Sequence, residues 1–338
     1  MNPIGTGPYK FKEYVKGDHV TLVRNENYWQ KDLPYADQVI FKIIPDAGAL
    51  DTALEAGEVD YAGGVSSANI SRLKANPDVV LLQAPGGPGG SFCIDMLIFN
   101  MRKPPFDKLE VREAFAYGIN RQQILEQVIF NQGRVATGPI SSTMAWAYNP
   151  NVRMRAYDKA QAAALLDKAG LKPGADGTRL KVVFPVSTFL AKRAEVVREN
   201  MKQVGVDVEV IPLEVNAANE RIFIKTDFDL GIGSYCNGPD PEIGVTRAYV
   251  STNIKPIPFS NGAAYSNPKI DELFLKAAST IDTAERAKVY AEIQEILVED
   301  VPYWWLVETQ LFRAQRKEVH DLRYWAGDLL ERAWTERQ

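Results

Sequence analysis

Apolar positions along the chain fall into short blocks of two kinds, and their alternation sets the expected architecture. Val20–Val23, Val39–Ile44, Val79–Gln83, Leu180–Pro185, Val206–Ile211 and Phe228–Tyr235 are brief runs rich in β-branched or aromatic residues, and each predicts a strand. Between them the spacing changes. Val111, Ala114, Phe115, Gly118 and Ile119 place one apolar stripe on a helix. Leu190–Val204, Asn216–Lys225, Asn267–Thr280 and Thr283–Glu299 also predict helices. Polar residues punctuate these elements. Asp46 stands ahead of Leu50, Ala53 and Leu54 as an N-cap, and Gly57 closes that helix. Asn120 with Gln123 opens another helix, and Asp158 opens a third that Gly170 stops.

The first part therefore reads as β-α-β-α-β, an α/β unit with a sheet between helices. A second α/β unit follows. The stretch Ile98–Arg121 combines a strand end, a turn at Pro104–Pro105 and a buried helix, and is read as the crossing between two lobes. The tail beyond about Leu311 is too short for a core of its own and is expected to pack back onto the first unit. Trp304 and Trp305 are adjacent in an extended segment, so they should face opposite ways, one of them into the core. Arg112 and Glu113 fall off the helix stripe and are expected to be solvated or ion-paired.

Length and charge narrow the function classes. A chain of 338 residues is long enough for two domains. Its net charge of −4, with no long run of one sign, argues against nucleic acid or an anionic membrane bound by bulk electrostatics. No apolar run reaches the length of a membrane span, and Met1–Gly5 lacks the basic and apolar parts of a signal peptide. The two histidines, His19 and His320, and the two cysteines, Cys93 and Cys236, show no metal spacing, so no metal or cofactor is expected. The cysteines are read as buried free thiols, with one disulfide as the alternative. The glycine-rich run at 85–90 has neither a closing Lys nor a following helix, and is read as a loop rather than a phosphate cradle.

Six segments in order carry a resemblance. They are GTGPYKF (Gly5–Phe11), RNENYW (Arg24–Trp29), KIIPDAGALDTALEAGEVD (Lys42–Asp60), FNMRKPPFDKLEVREAFAYGINR (Phe99–Arg121), YDKAQAAALLDKAGL (Tyr157–Leu171) and DLGIGSYCNGPDPEIG (Asp229–Gly244). With them the chain resembles the family 5 extracytoplasmic solute-binding proteins of ABC importers for peptides, opines and nickel chelates. The resemblance implies an α/β, two-lobed periplasmic-binding-protein-like fold of class II type, truncated at the N-terminus. Residues 1–99 with 310–338 would form the remainder of the first lobe and 100–309 the second, with hinges near 98–104 and 306–312. It further implies an extracytoplasmic monomer that captures a small solute, a peptide or other amine-bearing compound first among them, and hands it to a membrane permease without chemistry.

The candidate solute contacts lie at Tyr235–Glu242, just beyond an apolar strand. In peptide-binding relatives an aspartate in the matching segment holds the α-amino group. Asp240 is the loop's only aspartate and takes that role here, with capping of a following helix as the alternative. If the match falls on Asn237 or Gly238 instead, the charge is missing. Tyr235, Cys236 and Asn237 flank it. Arg247 would meet a solute carboxylate or form a helix salt bridge, and Phe92 and Cys93 would line the other wall or pack in the core. Two rival functions remain open. One is a solute sensor docking a signalling receptor. The other is a hydrolase built on Asp240 and Glu242, the loop's close carboxylate pair.

Overall fold

The computed structural model describes residues 3–83, 93–238, 240–322 and 330–336. In chain order the strands are β1 (Tyr9–Val15), β2 (His19–Arg24), β3 (Gln38–Lys42), β4 (Tyr61–Ala62), β5 (Val79–Gln83), β6 (Cys93–Phe99), β7 (Gly133–Val135), β8 (Leu180–Ser187), β9 (Val206–Leu213), β10 (Leu230–Cys236), β11 (Tyr303–Thr309), β12 (Phe312–Arg316), β13 (Val319–His320) and β14 (Trp334–Thr335). The α-helices are α1 (Ala47–Ala56), α2 (Ile70–Ala75), α3 (Leu109–Gly118), α4 (Arg121–Gln127), α5 (Lys159–Lys168), α6 (Ala191–Lys202), α7 (Val215–Asn219), α8 (Pro241–Gly244), α9 (Pro268–Ser279) and α10 (Thr283–Asp300). The caps follow the sequence. Asp46 accepts from Ala49 N at 2.7 Å, Asn120 from Gln123 N at 3.2 Å, and Asp158 from Ala160 N and Gln161 N at 2.9 and 3.0 Å.

The chain divides into two units, Met1–Ala84 with Leu311–Gln338, and Pro85–Gln310. In the first, β1, β2 and β3 form an antiparallel meander. A second sheet has the order β4-β12-β5, with the C-terminal strand β12 antiparallel to both neighbours. Its small core joins Leu54, Ala62, Leu73 and Val79 to Ala314 from the tail. An open apolar groove of about 460 Å³ also marks this unit, with Ile40, Phe41, Leu50, Tyr61, Leu330 and Trp334 among its lining.

The second unit is built on the sheet β10-β6-β11-β7, antiparallel throughout, with β8 and β9 as a separate parallel pair. Every residue of β6 and β11 is buried. The expected boundary at residue 99 moves accordingly. β6 is hydrogen-bonded on one side to β10 and on the other to β11, so it is a central strand of the second unit and not the last strand of the first. The 98–104 stretch then lies inside the second unit, where Phe99, Phe106 and Phe115 pack ring against ring at 5.2–5.9 Å. The return crossing falls between Gln310 and Leu311.

Two further expectations change for the same reason, coverage by distant segments. Trp304 and Trp305 are both fully buried, because both faces of β11 are covered. Arg112 is buried as well. Its guanidinium donates to the carbonyls of Val301, Asp300, Phe106 and Asp107 at 2.8–3.0 Å, and so satisfies the end of α10.

Candidate functional site

One end of the second unit's sheet gathers most of the residues singled out above. β10 ends there at Cys236, β6 begins there at Cys93, and β11 ends there at Thr309. In an antiparallel sheet carboxyl ends point both ways, so the rule that places ligands beyond parallel strand ends selects neither. What distinguishes this end is that the chain enters the unit ahead of β6 and leaves it after β11, both here.

Cys93 and Cys236 are directly paired in the β6–β10 register and joined by a disulfide across a sequence separation of 143. The free-thiol reading is therefore corrected. Strand register, which spacing along the chain does not reveal, brings the two sulfurs together. Cys236 is exposed while Cys93 is buried.

Tyr235 turns the other way, into the core. It is 1% exposed, its hydroxyl donates to Ser260 O at 3.1 Å, and Phe223, Phe259 and Tyr303 surround its ring. Burial pushes its phenol well above the usual range, so it stays neutral. It supports the site from behind and offers no open face to a solute. Asn237 is also buried, and its side-chain amide donates to Pro139 O at 3.3 Å. Gly244 of α8 makes this closeness possible. A Cβ there would lie 2.6 Å from Asn237 Cα and 2.7 Å from Cys236 O. The crevice behind, lined by Met96, Pro139, Tyr235, Asn237 and Tyr249 among others, is too narrow for a water molecule.

Asp240 is committed to the protein. It caps α8 through Glu242 N at 2.9 Å and takes two bonds from Arg286, at 2.7 and 3.0 Å. The Arg286 guanidinium holds the Asp240 carboxyl below the usual carboxylate range and its own pKa rises in return. Arg286 also lies 5.2 Å from the Trp146 ring centroid. Asp240 is thus no free partner for an ammonium group. Glu242 does not form a catalytic pair with it, since Asp240 is bound to Arg286 and Glu242 accepts from Thr246 Oγ1 at 2.8 Å.

Arg247 does not form the helix salt bridge that was one of its two readings. Its Nε donates to Gly244 O at 3.2 Å and its guanidinium carbon lies 5.8 Å from the centroids of both Tyr235 and Phe259. Among the described residues it has no carboxylate within 4.0 Å. Phe92 and the 85–90 loop lie outside the described residues.

Several residues at this end were not anticipated. Asp95 on β6 bonds Arg193 of α6 at 2.5 Å, and Thr309 Oγ1 accepts from Arg193 and donates to Asp95. Arg193 also lies 5.8 Å from the ring of Phe189, which is 68% exposed. Glu308 on β11 is buried and accepts from Ser141 Oγ, Ser142 N and Ser142 Oγ at 3.2, 3.1 and 2.6 Å, with Arg134 Nε at 3.5 Å. The signal was present in sequence as single ionisable residues inside the apolar runs CIDMLIF and YWWLVET. Among the described residues no group of three His, Cys, Asp or Glu side chains is placed to hold a metal ion.

Comparison with known proteins decides the family. A model described as "Bacterial extracellular solute-binding proteins, family 5 Middle" matches residues 1–256. The chain belongs to this family. It is 28% identical over 325 residues to di/tripeptide-binding protein 1 of Pseudomonas aeruginosa, covering 96% of this chain and 59% of the relative. It is 30% identical over 305 residues to heme-binding protein A of Haemophilus influenzae, covering 89% and 54%. Among solved structures, the Bacillus subtilis oligopeptide-binding protein AppA in complex with a nonapeptide superposes with a TM-score of 0.87 at 26% identity, covering 98% of this chain and 67% of that one. The periplasmic binding protein DppA of Helicobacter pylori, in complex with the peptide STSA, gives 0.88 at 24%, covering 99% and 64%, and bears on the fold alone. The fold of this family 5 chain is the two-lobed α/β periplasmic-binding-protein fold expected from its sequence. The chain spans about 59% of the length of its curated P. aeruginosa relative.

Proposed function

We propose that this family 5 chain belongs to the solute-binding component of an ABC importer, which captures a small peptide or peptide-like solute outside the cytoplasm and passes it to a membrane permease. The observation that carries this reading is the family match over residues 1–256 together with the peptide-bound structures that superpose on nearly the whole chain. The disulfide supports the oxidising compartment, since such bonds persist outside the cytosol. Binding without catalysis fits a strand end whose two most suggestive carboxylates, Asp240 and Glu308, are held by protein partners.

On this reading the solute meets the outward side of the strand end, where Cys236 and Asn237 close β10 and Arg247 supplies a cation. A thermal-shift screen of the chain against di- and tripeptides, opines and oligosaccharides tests it. Saturating peptide at about 100 Kd should stabilise by about 2.7 kcal/mol. Stabilisation by opines or sugars with none by any peptide would remove the peptide assignment.

A further inference from the structure

The two halves of the disulfide stand in unlike surroundings. Cys236 is the last residue of β10 and is exposed, whereas Cys93 is the first residue of β6 and is 9% exposed. A thiolate opens a disulfide by attacking one of its sulfurs, and access decides which one. The attacked sulfur enters the new bond, and the other leaves with the electron pair. Cys236 is therefore the point of entry and Cys93 the leaving group. Burial disfavours a Cys93 thiolate, so the departing sulfur takes up a proton. That poorer leaving group slows exchange at Cys236 but opens no other route, because attack on Cys93 requires the strand end to come away.

The rest of the ladder does not depend on this bond. Inside it the pairing continues from Tyr235↔Ile94 to Leu230↔Phe99. Tyr235 is anchored through Ser260 O and by the rings of Phe223, Phe259 and Tyr303, and Asp95 by Arg193 at 2.5 Å. Opening the outermost rung thus leaves the sheet folded and holds Cys93 opposite Cys236, where it can attack the mixed disulfide and expel the incoming thiol. We propose that the Cys93–Cys236 bond is a directional thiol-exchange site, modified at Cys236 in the folded protein by small aliphatic thiols. The incoming thiolate forms a bond to Cys236 Sγ as the bond to Cys93 Sγ breaks, and a second thiol completes reduction, leaving two protein thiols and the disulfide of the reagent. This inference goes beyond the solute reading and does not rest on it.

Glutathione is the probe. In the full native chain, the rate of opening should rise in proportion to reduced glutathione and stay unchanged in urea below the unfolding transition, with circular dichroism retained. Quenching with iodoacetamide and peptide mapping should place the trapped glutathione on Cys236. Cys93→Ser should take up one glutathione from oxidised glutathione while folded, and Cys236→Ser should react at least about tenfold more slowly. An opening rate that levels off at the rate of unfolding, or a trapped adduct on Cys93, overturns the proposal, and neither measurement needs a variant that folds. Equal rates for the two single variants, both folded by circular dichroism, overturn it as well.

Discussion

Asp240 illustrates how a residue's partners decide its role. A carboxylate with one oxygen capping a short helix and both oxygens on Arg286 is spent on structure. Asp240→Asn should lower stability by about 1–2 kcal/mol, through the weakened cap and the lost ion pair. Its folded pKa is depressed, so the stabilisation is present above the unfolded value near 3.9 and is lost as pH falls through the folded value. Denaturant melts between pH 5 and 2 should therefore show a steeper acid-side loss in the native chain than in Asp240→Asn. The variant should bind an amine-bearing solute unchanged. A tenfold loss of affinity without a change in stability would return Asp240 to the solute.

At the level of elements, the sheet end is tied rather than merely packed. β6 and β10 share seven paired positions from Leu230↔Phe99 to Cys236↔Cys93, and the disulfide closes the ladder at its outer end. Because the bond spans 143 residues, it removes much freedom from the unfolded chain. Replacing both cysteines by serine should cost about 2–4 kcal/mol. Denaturant titration of the double variant, and of the native chain with and without reductant, measures this. The same change should loosen Asn237, the next residue, so that solute affinity falls along with stability. A double variant as stable as the native chain would show that the ladder alone holds this end.

The whole molecule is unequal in its two units. Pro85–Gln310 is one continuous segment that contains every strand and helix of its own large core. The other unit is discontinuous, because β12 from the tail lies between β4 and β5. A chain of residues 85–310 should therefore fold alone, with a single cooperative melt and intact near-ultraviolet dichroism. Residues 1–84 alone should not, because without β12 the short strands β4 and β5 have no central partner. A cooperative melt of 1–84 would contradict the central place of β12.

Much of this was legible in the chain before any coordinates. Asp46, Asn120 and Asp158 cap helices where their sequence placed them, since a cap depends on three or four neighbouring residues. The periodic segments became strands and helices, and the six ordered segments pointed to the right family, because both signals are local and survive without knowledge of pairing. The remainder was decided at long range. That Cys93 meets Cys236, that Arg193 neutralises Asp95, that Arg286 takes Asp240 and that Arg112 closes α10 all depend on which strand lies beside which, in what register and under which helix. The same holds for the boundary, where β6 belongs to the unit that hydrogen-bonds both its edges. Composition and spacing determined the elements and their kind. Only the tertiary pairing determined which partner each ionisable side chain took, because a buried charge settles on the partner that folding brings to it.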